Sequence, residues 1–563
     1  MTNLEKIIPD DLSHIKSDKS RRYNLLGAKL TADLVKTSLG PRGLEKMYID
    51  ILGDATVTKD GATFLRKVDL FHPAAKAVIE AANSVDNAVG DGTITVTVLI
   101  GALIQKAEEL LDNGIPAPVI IQGYQRALEI SLETLFGIAK TKNNSDETVL
   151  ENLALTCLRS KAISNIADEG VITKLVVKAV SAISDFKNNE IEHDDIKIEE
   201  KPGNADKTTL IRGVIVDKTI DNFQMSKHVQ NAKILLLDDE LDNQTTKTES
   251  EIIITSVGQR EVFLQQKSDE IKNKISLIID SGANVIFSRK GINLRAQEHL
   301  LRAGLVSVRR VKENDLHWLS KATGAKIVSL EEVSKDKLGF AGKVYEEFVG
   351  DDKMVFVESC INPKAVTLLL RSQSKRYLDE FHRSILDAIH VLGDFIVKPQ
   401  IVVGGGSTEA IISKKVRQVA YTIEGKEQLA VAKFAEALEE IPLTIARNSG
   451  MNMLDVLSQL RSKIDQISLE NISKWYGIDA LERKVQDLST KNIIEPMVVK
   501  EQILKTASEV VQMLLRVDDV FEKKPLDNTH THADGTTHSH ARGGEKHDHD
   551  AMGRVQRPMH HYY

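Results

Sequence analysis

The sequence predicts a multidomain α and α/β protein in which one helical domain is interrupted by an α/β insert. Three observations carry this. At 563 residues the chain exceeds what a single hydrophobic core serves, so two to four domains are expected. Residues 20–140 and 372–522 are dominated by long stretches of helical apolar periodicity. Between about 205 and 365 the texture changes to short β-rich runs separated by helical stretches, the pattern of an α/β domain.

Taken in order, Leu25 to Ser38 reads as a helix, followed by the Gly-rich loop Leu39-Gly40-Pro41-Arg42-Gly43. A short hairpin is expected around Leu52-Gly53-Asp54, leading into Thr58-Lys59-Asp60-Gly61-Ala62-Thr63. Ala75, Val78, Ile79, Ala82, Val85 and Val89 recur at helical spacing; Val96 to Leu111 is a second helix, closed by Asn113-Gly114. Ile115-Pro116-Ala117-Pro118 opens another long helix that runs to about Ala139, and the polar run Lys140 to Asp146 begins a new segment. Five β-rich runs follow: Leu210 to Val216, Lys233 to Leu237, Val285 to Phe287, Val306 to Val311 and Lys326 to Val328. Asp387 falls in a helical stretch, and Gly404-Gly405-Gly406 follows the apolar run Ile401-Val402-Val403. The last segment, 523–563, is poor in apolar residues, holds eight of the 16 histidines and is expected to be disordered.

Bulk properties exclude several classes. The 74 basic and 81 acidic residues leave a net charge of −7, which argues against a nucleic-acid binder. The cysteines, Cys157 and Cys360, lie far apart without a CxxC partner and read as buried free thiols. Met1 to Lys19 is polar and charged throughout, so no signal peptide is expected. The longest apolar stretch, about Ile94 to Ile104, is too short to span a bilayer. A cytoplasmic protein without a membrane span is the resulting expectation.

The run Gly90-Asp91-Gly92-Thr93 stands where one helix stops and the next starts. Its glycines permit close approach of a ligand, and a helix N-terminus favours anions, so a phosphate chain fits there. Asp91 is then unwelcome unless a cation such as Mg²⁺ bridges it. The same four residues also fit an ordinary Gly-rich interhelical turn. Rival signals are missing: the chain holds no GxxxxGK[ST], GxGxxG or GxSxG sequence.

The fragments together resemble the group II chaperonins, the archaeal thermosome and the related eukaryotic cytosolic chaperonin. The matching stretches include SLGPRGLEKM (38–47), TKDGAT (58–63), VGDGTITV (89–96), the run from Gly350 to Arg371, SILDAI (384–389), VVGGGSTE (402–409), GKEQLAVAKFAEALEEIP (425–442), IIEPMVVK (493–500) and LLRVDDV (514–520). The resemblance covers roughly 15–522. It implies a chaperonin fold: a helical equatorial domain (1–140 and 397–522), a small intermediate hinge domain (141–208 and 366–396), and an α/β apical domain (209–365) with a helical protrusion near 239–271 that closes a cavity. It implies an ATP-dependent chaperone subunit, assembled with like or sister subunits into a double ring that encloses non-native proteins.

The resemblance also implies roles. Asp60 and Asp387 match the catalytic carboxylates, and Asp91 matches the Mg²⁺ ligand. Leu39, Gly40, Pro41, Gly61, Gly92, Thr93, Ile94, Thr95, Gly404 and Gly405 fall in the nucleotide-binding motifs. Lys161 matches a loop that senses the γ-phosphate, and Glu495 a residue near the nucleotide's sugar. Domain closure that brings Asp387 onto the site of Asp60 would gate hydrolysis. The chain departs from the pattern in ways that mark a divergent, gamma-like paralogue. Ile94 replaces a second threonine after Gly-Asp-Gly-Thr, removing a hydroxyl contact worth roughly 0.5–1.5 kcal/mol. Val85 and Ala88 stand where relatives are polar or acidic, CLRSKAIS lacks the glycine before the lysine, Leu370-Arg371-Ser372 lacks a Gly-Gly, and the tail is His-rich instead of Gly-Met-rich. These departures raise an alternative, a structural or regulatory ring paralogue with weak ATPase activity.

Overall fold

In the computed structural model the described residues are 12–15, 17–161, 163, 167–242, 257–361, 363–469, 472–523, 529–531 and 537–539. The chain divides into two units, the larger being Asn24–Arg516 and the smaller the two chain ends. In the smaller, Leu12–Ile15 pairs antiparallel with Val520–Lys523, and Thr529–Thr531 with Thr537–Ser539. Most of the His-rich tail lies outside the described residues, so its expected disorder does too.

The larger unit holds three principal cores, and the chain runs through the first, second and third and then back through the second to the first. The first joins its beginning and end. Pro73–Val89, Thr93–Asp112 and Ala117–Ile138 pack with Ser407–Ala420, Glu427–Leu438, Glu440–Asn448, Met453–Asp465 and Met497–Arg516. Thr93–Asp112 is apolar nearly all round because it is buried nearly all round, its Val98, Leu99, Ile100, Leu103 and Ile104 all inside. Tyr124 donates its hydroxyl to the Leu103 carbonyl at 2.9 Å and meets Phe434 edge-on, with ring centroids 5.5 Å apart. Residues more than 300 positions apart thus share one interior.

The second core is built from Glu147–Ser160, Glu169–Ile183 and Lys375–Val397 over a three-stranded sheet. In it Val366–Ser372 is central, parallel to Ile196–Pro202 and antiparallel to Thr209–Ile211. The third core surrounds a larger sheet ordered Val306–Val308, Val285–Ser288, His228–Leu237, Gly339–Val349, Asp352–Glu358, Gly213–Val216, with Ile327–Val328 also beside His228–Leu237. Parallel pairing of Val285–Ser288 with both neighbours requires crossover helices, and Val257–Ser281 and Leu294–Arg302 supply them.

The structure refines the sequence reading at three places. The run Leu210 to Val216 is not one strand: it changes sheets at Arg212, because Gly213 lies so close to the Val357 carbonyl that a Cβ there would stand 2.0 Å from it. The long hairpin Gly339–Val349 and Asp352–Glu358, turned at Gly350 with φ +70°, was not among the expected strands, since exposed Glu347, Asp351, Asp352 and Lys353 crowd its turn end. The expected protrusion near 239–271 lies partly outside the described residues; Val257–Ser281 is helical. No helix among the described residues is long and apolar enough to cross a membrane.

Candidate functional site

Two helix N-termini and two loops border one cavity of about 340 Å³. Gly92 caps Thr93–Asp112 at φ +91° without any side-chain cap, so the first N–H groups of this long helix are left for a ligand. A side chain at Gly92 would also collide with Ile503, whose Cδ1 stands 2.7 Å from the Cβ position. Gly406, at φ +74°, likewise begins Ser407–Ala420 without a side-chain cap. Leu39, Gly40 and Pro41 line the cavity opposite; Asn448 holds their loop by donating to the carbonyls of Lys36 at 3.0 Å and Leu39 at 2.9 Å. Arg42 ties the same loop to the 476–487 hairpin through the carbonyl of Ala480, at 2.8 Å.

Of the residues singled out from sequence, Leu39, Gly40, Pro41, Asp91, Gly92, Thr93, Ile94, Thr95, Lys161, Gly405 and Glu495 line this cavity. Asp60, Gly61, Asp387 and Gly404 stand just behind its wall. Asp60 caps Gly61–Val68, accepting from Ala62 N–H at 3.3 Å and Thr63 N–H at 2.8 Å, and accepts from the Thr93 hydroxyl at 3.2 Å. Gly61 packs against Ile94: a Cβ there would meet Ile94 Cγ1 at 2.8 Å. Ile94 therefore faces both the cavity and the small apolar cluster of Val35, Leu65 and Ala82. Gly404 makes room for Glu495, since a Cβ at that position would lie 2.2 Å from the Glu495 Oε1.

Lys161 joins the two cores across the site. Its buried ammonium lies 2.6 Å from Asp387 Oδ2 and 3.4 Å from Asp91 Oδ1. Burial disfavours its charge, but Asp387 and Asp91 outweigh that and hold its pKa well above the ordinary lysine value. Burial pushes the Asp387 carboxyl up to about 8 against the pull of Lys161, with Asp60 and Asp91 adding repulsion. Burial also works to raise Asp60, yet the Lys161 charge and the hydrogen bonds from Thr63 and Ala62 prevail and hold it below the usual carboxylate value. Asp60, Asp91 and Asp387 thus crowd around one ammonium, and the repulsion from the first two helps hold the Asp387 carboxyl high.

The sequence reading missed three groups here. Lys59 lines the cavity, donates its ammonium to the Pro41 carbonyl at 3.2 Å, and its backbone N–H donates to Glu380 Oε1 at 3.0 Å. Burial, then the neighbouring Lys161 charge, lowers its pKa to about 8. Lys500 and Glu409 form a buried ionic group with Glu495. Lys59, inside the TKDGAT run, carried a signal in its charge beside Asp60-Gly61; Glu409 and Lys500 carried none.

The arrangement offers uncapped N–H groups for phosphates, a carboxylate cluster for a divalent cation and an apolar wall of Ile441, Ile445, Ile478 and Ile493 for a flat ring. Comparison with known proteins gives the same direction. Residues 31–525 match the TCP-1/cpn60 chaperonin family. The chain is 41% identical to a thermosome subunit of Methanocaldococcus jannaschii over 517 residues, 92% of this chain and 94% of the relative. It is 41% identical over 525 residues to a thermosome subunit of Pyrococcus horikoshii, covering 92% of this chain and 94% of that one. Against the thermosome subunit alpha of Aeropyrum pernix it is 41% identical over 506 residues, 89% and 90% of the two chains. With a match that runs through both helical halves and the α/β insert between them, this chain belongs to the TCP-1/cpn60 chaperonin family.

Proposed function

We propose that the cavity between the first and second cores binds ATP with Mg²⁺, and that Asp60 and Asp387 are the carboxylates that position and activate the attacking water. The protein is a chaperonin subunit, an ATP hydrolase that works in a double-ring complex. The single observation that carries the site assignment is the meeting of Asp60, Asp91, Asp387 and Lys161 from four separate stretches of chain at the mouth of two uncapped helices.

The residues fit the nucleotide and its metal. Gly92, Thr93, Ile94 and Thr95 supply helix N-terminal N–H groups to phosphate oxygens, and Gly40 lets the opposite loop approach. Asp91 is the metal ligand, in a carboxyl cluster whose mutual repulsion a divalent cation would relieve. Mg²⁺, when bound, neutralises charge on the phosphates. Thr93 spends its hydroxyl on Asp60 and so contributes backbone to the phosphates and orientation to the carboxylate. Asp387 reaches the site from the second core, so movement of that core controls whether the water is held. Lys161 moves with it and answers to the terminal phosphate.

By the same reading the first core is the equatorial domain, the second the intermediate domain and the third the apical domain, with a lid near 239–271 over bound non-native protein. The chain acts in the cytoplasm, together with like or sister subunits; Ile94 and the altered stretch before Lys161 make it a divergent, gamma-like member. The test is a native-mass measurement of the purified chain, with and without sister subunits, joined to Mg²⁺-dependent ATP hydrolysis. A double-ring mass with ATP turnover is expected; a ring that binds ATP no better after Mg²⁺ is added, and does not hydrolyse it, refutes the site reading.

A further inference from the structure

Glu495 sits on the short strand Ile494–Pro496, paired opposite Val402, and lines the cavity. One of its oxygens lies over Gly404, where a Cβ would come within 2.2 Å. The other is 2.6 Å from the Lys500 ammonium. Lys500 belongs to the first turns of Met497–Arg516, and its ammonium is at the same time 2.8 Å from Glu409 Oε1. Glu409 is in the first turn of Ser407–Ala420, the helix whose N-terminus borders the cavity. The Glu409 side chain is 4% exposed and the Lys500 side chain 7%. Among the described residues Lys500 is the only cation paired with Glu409. Glu409 is not part of the cavity wall.

A buried carboxylate–ammonium–carboxylate row of this kind is costly to assemble and contributes little net stability beside apolar packing. Its effect is geometric: it leaves one orientation for Glu495. Burial raises the Glu495 pKa, the Lys500 charge lowers it, and Glu409 raises it again. The net direction is upward, so the row acts on Glu495 through geometry: Lys500 fixes one of its oxygens and leaves the other as an acceptor.

We propose that Glu409 and Lys500 are positioning residues that hold Glu495 as a hydroxyl acceptor and thereby set the preference of this site for a ribose over a sugar lacking its hydroxyls. This rests on the reading of Glu495 as the residue beside the nucleotide's sugar. Glu409 acts entirely from behind the wall, through Lys500.

The experiment measures, by calorimetric titration of the assembled protein in Mg²⁺, the ratio of affinities for ATP and 2′,3′-dideoxy-ATP. A carboxylate accepting from a sugar hydroxyl gives a ratio of about tenfold or more in the unaltered protein. Lys500→Met is expected to bring the ratio to within about twofold of one, Lys500→Arg to restore most of it, and Glu409→Gln to reduce it by about two- to fivefold. Where Lys500→Met does not fold, the milder Glu409→Gln carries the same readout. Glu495→Ala, which leaves no side-chain acceptor, separates the two layers. If Glu495→Ala loses the preference while Glu409→Gln and Lys500→Met keep it, the positioning role is wrong and the sugar reading stands. If Glu495→Ala keeps the preference, both fall together.

Discussion

Replacing Asp387 by alanine is expected to separate the hydrolytic step from nucleotide binding. Asp387 is 13% exposed and stands behind the cavity wall, its reach into the site passing through Lys161 at 2.6 Å. Removing it takes no group from the cavity lining, so ATP affinity is expected to change by less than about threefold, under about 1 kcal/mol. Lys161 keeps Asp91 at 3.4 Å as a partner, so its ammonium is not stranded. The fold therefore loses less than the roughly 3–5 kcal/mol of a fully orphaned buried charge. On the proposed role, the chemical step is expected to lose the group that orients and deprotonates water, worth about 10²–10⁴ in rate. Single-turnover hydrolysis of Mg²⁺·ATP at saturating protein, with a parallel binding titration, reads the two effects apart. A rate within about threefold of the parent removes Asp387 from the chemistry. A collapse of binding with the rate per bound ATP unchanged would place it in the nucleotide pocket instead.

Other outcomes follow from single contacts. Ile94→Thr is expected to tighten ATP affinity about fivefold by restoring a hydroxyl, while costing about 1 kcal/mol of stability because Ile94 also packs on Gly61 and the Val35–Leu65 cluster; calorimetry and thermal melts check the pair of effects. Gly404→Ala places a Cβ 2.2 Å from Glu495 Oε1 and is expected to weaken ATP binding about tenfold by displacing that carboxylate; unchanged affinity would show that Glu495 has room to move. His193 and His390 lie 4.7 Å apart beside Gly393 and Gly90. Burial, chiefly, holds both below the ordinary histidine value, against Asp86, Glu192 and Asp194. The unfolded chain protonates these rings near pH 6.5, the native pair only at lower pH, so stability falls as pH drops through that window. His390→Gln is expected to flatten the fall, measured as the difference in melting temperature between about pH 7.5 and 5.5.

Much of this protein is determined locally and so could be read from the chain alone. Helix periodicity in 75–89 and 96–111 lies along each segment, and Pro73–Val89 and Thr93–Asp112 follow it to within a turn. The glycines of Gly90-Asp91-Gly92 and Gly404-Gly405-Gly406 announce turns because φ values of +91° at Gly92 and +74° at Gly406 are costly for other residues. The interruption of a helical domain by an α/β one was visible as a change of texture. What the chain alone did not determine is which charges meet. Lys161 read as well as a surface lysine; only the packing of Glu147–Ser160 against Lys375–Val397 buries it between Asp91 and Asp387. Glu409 and Lys500 carried no distinguishing pattern, since the first turn of a helix accepts an acid anywhere and a lysine is usually solvated. The long hairpin 339–358 was hidden because charges at its turn end break the apolar pattern, and only its pairing within the sheet supplies the evidence. The physical reason is common to all three. Propensity and periodicity are summed over neighbours in sequence, whereas burial, and with it the strength of every electrostatic interaction at the site, depends on segments separated by tens to hundreds of residues.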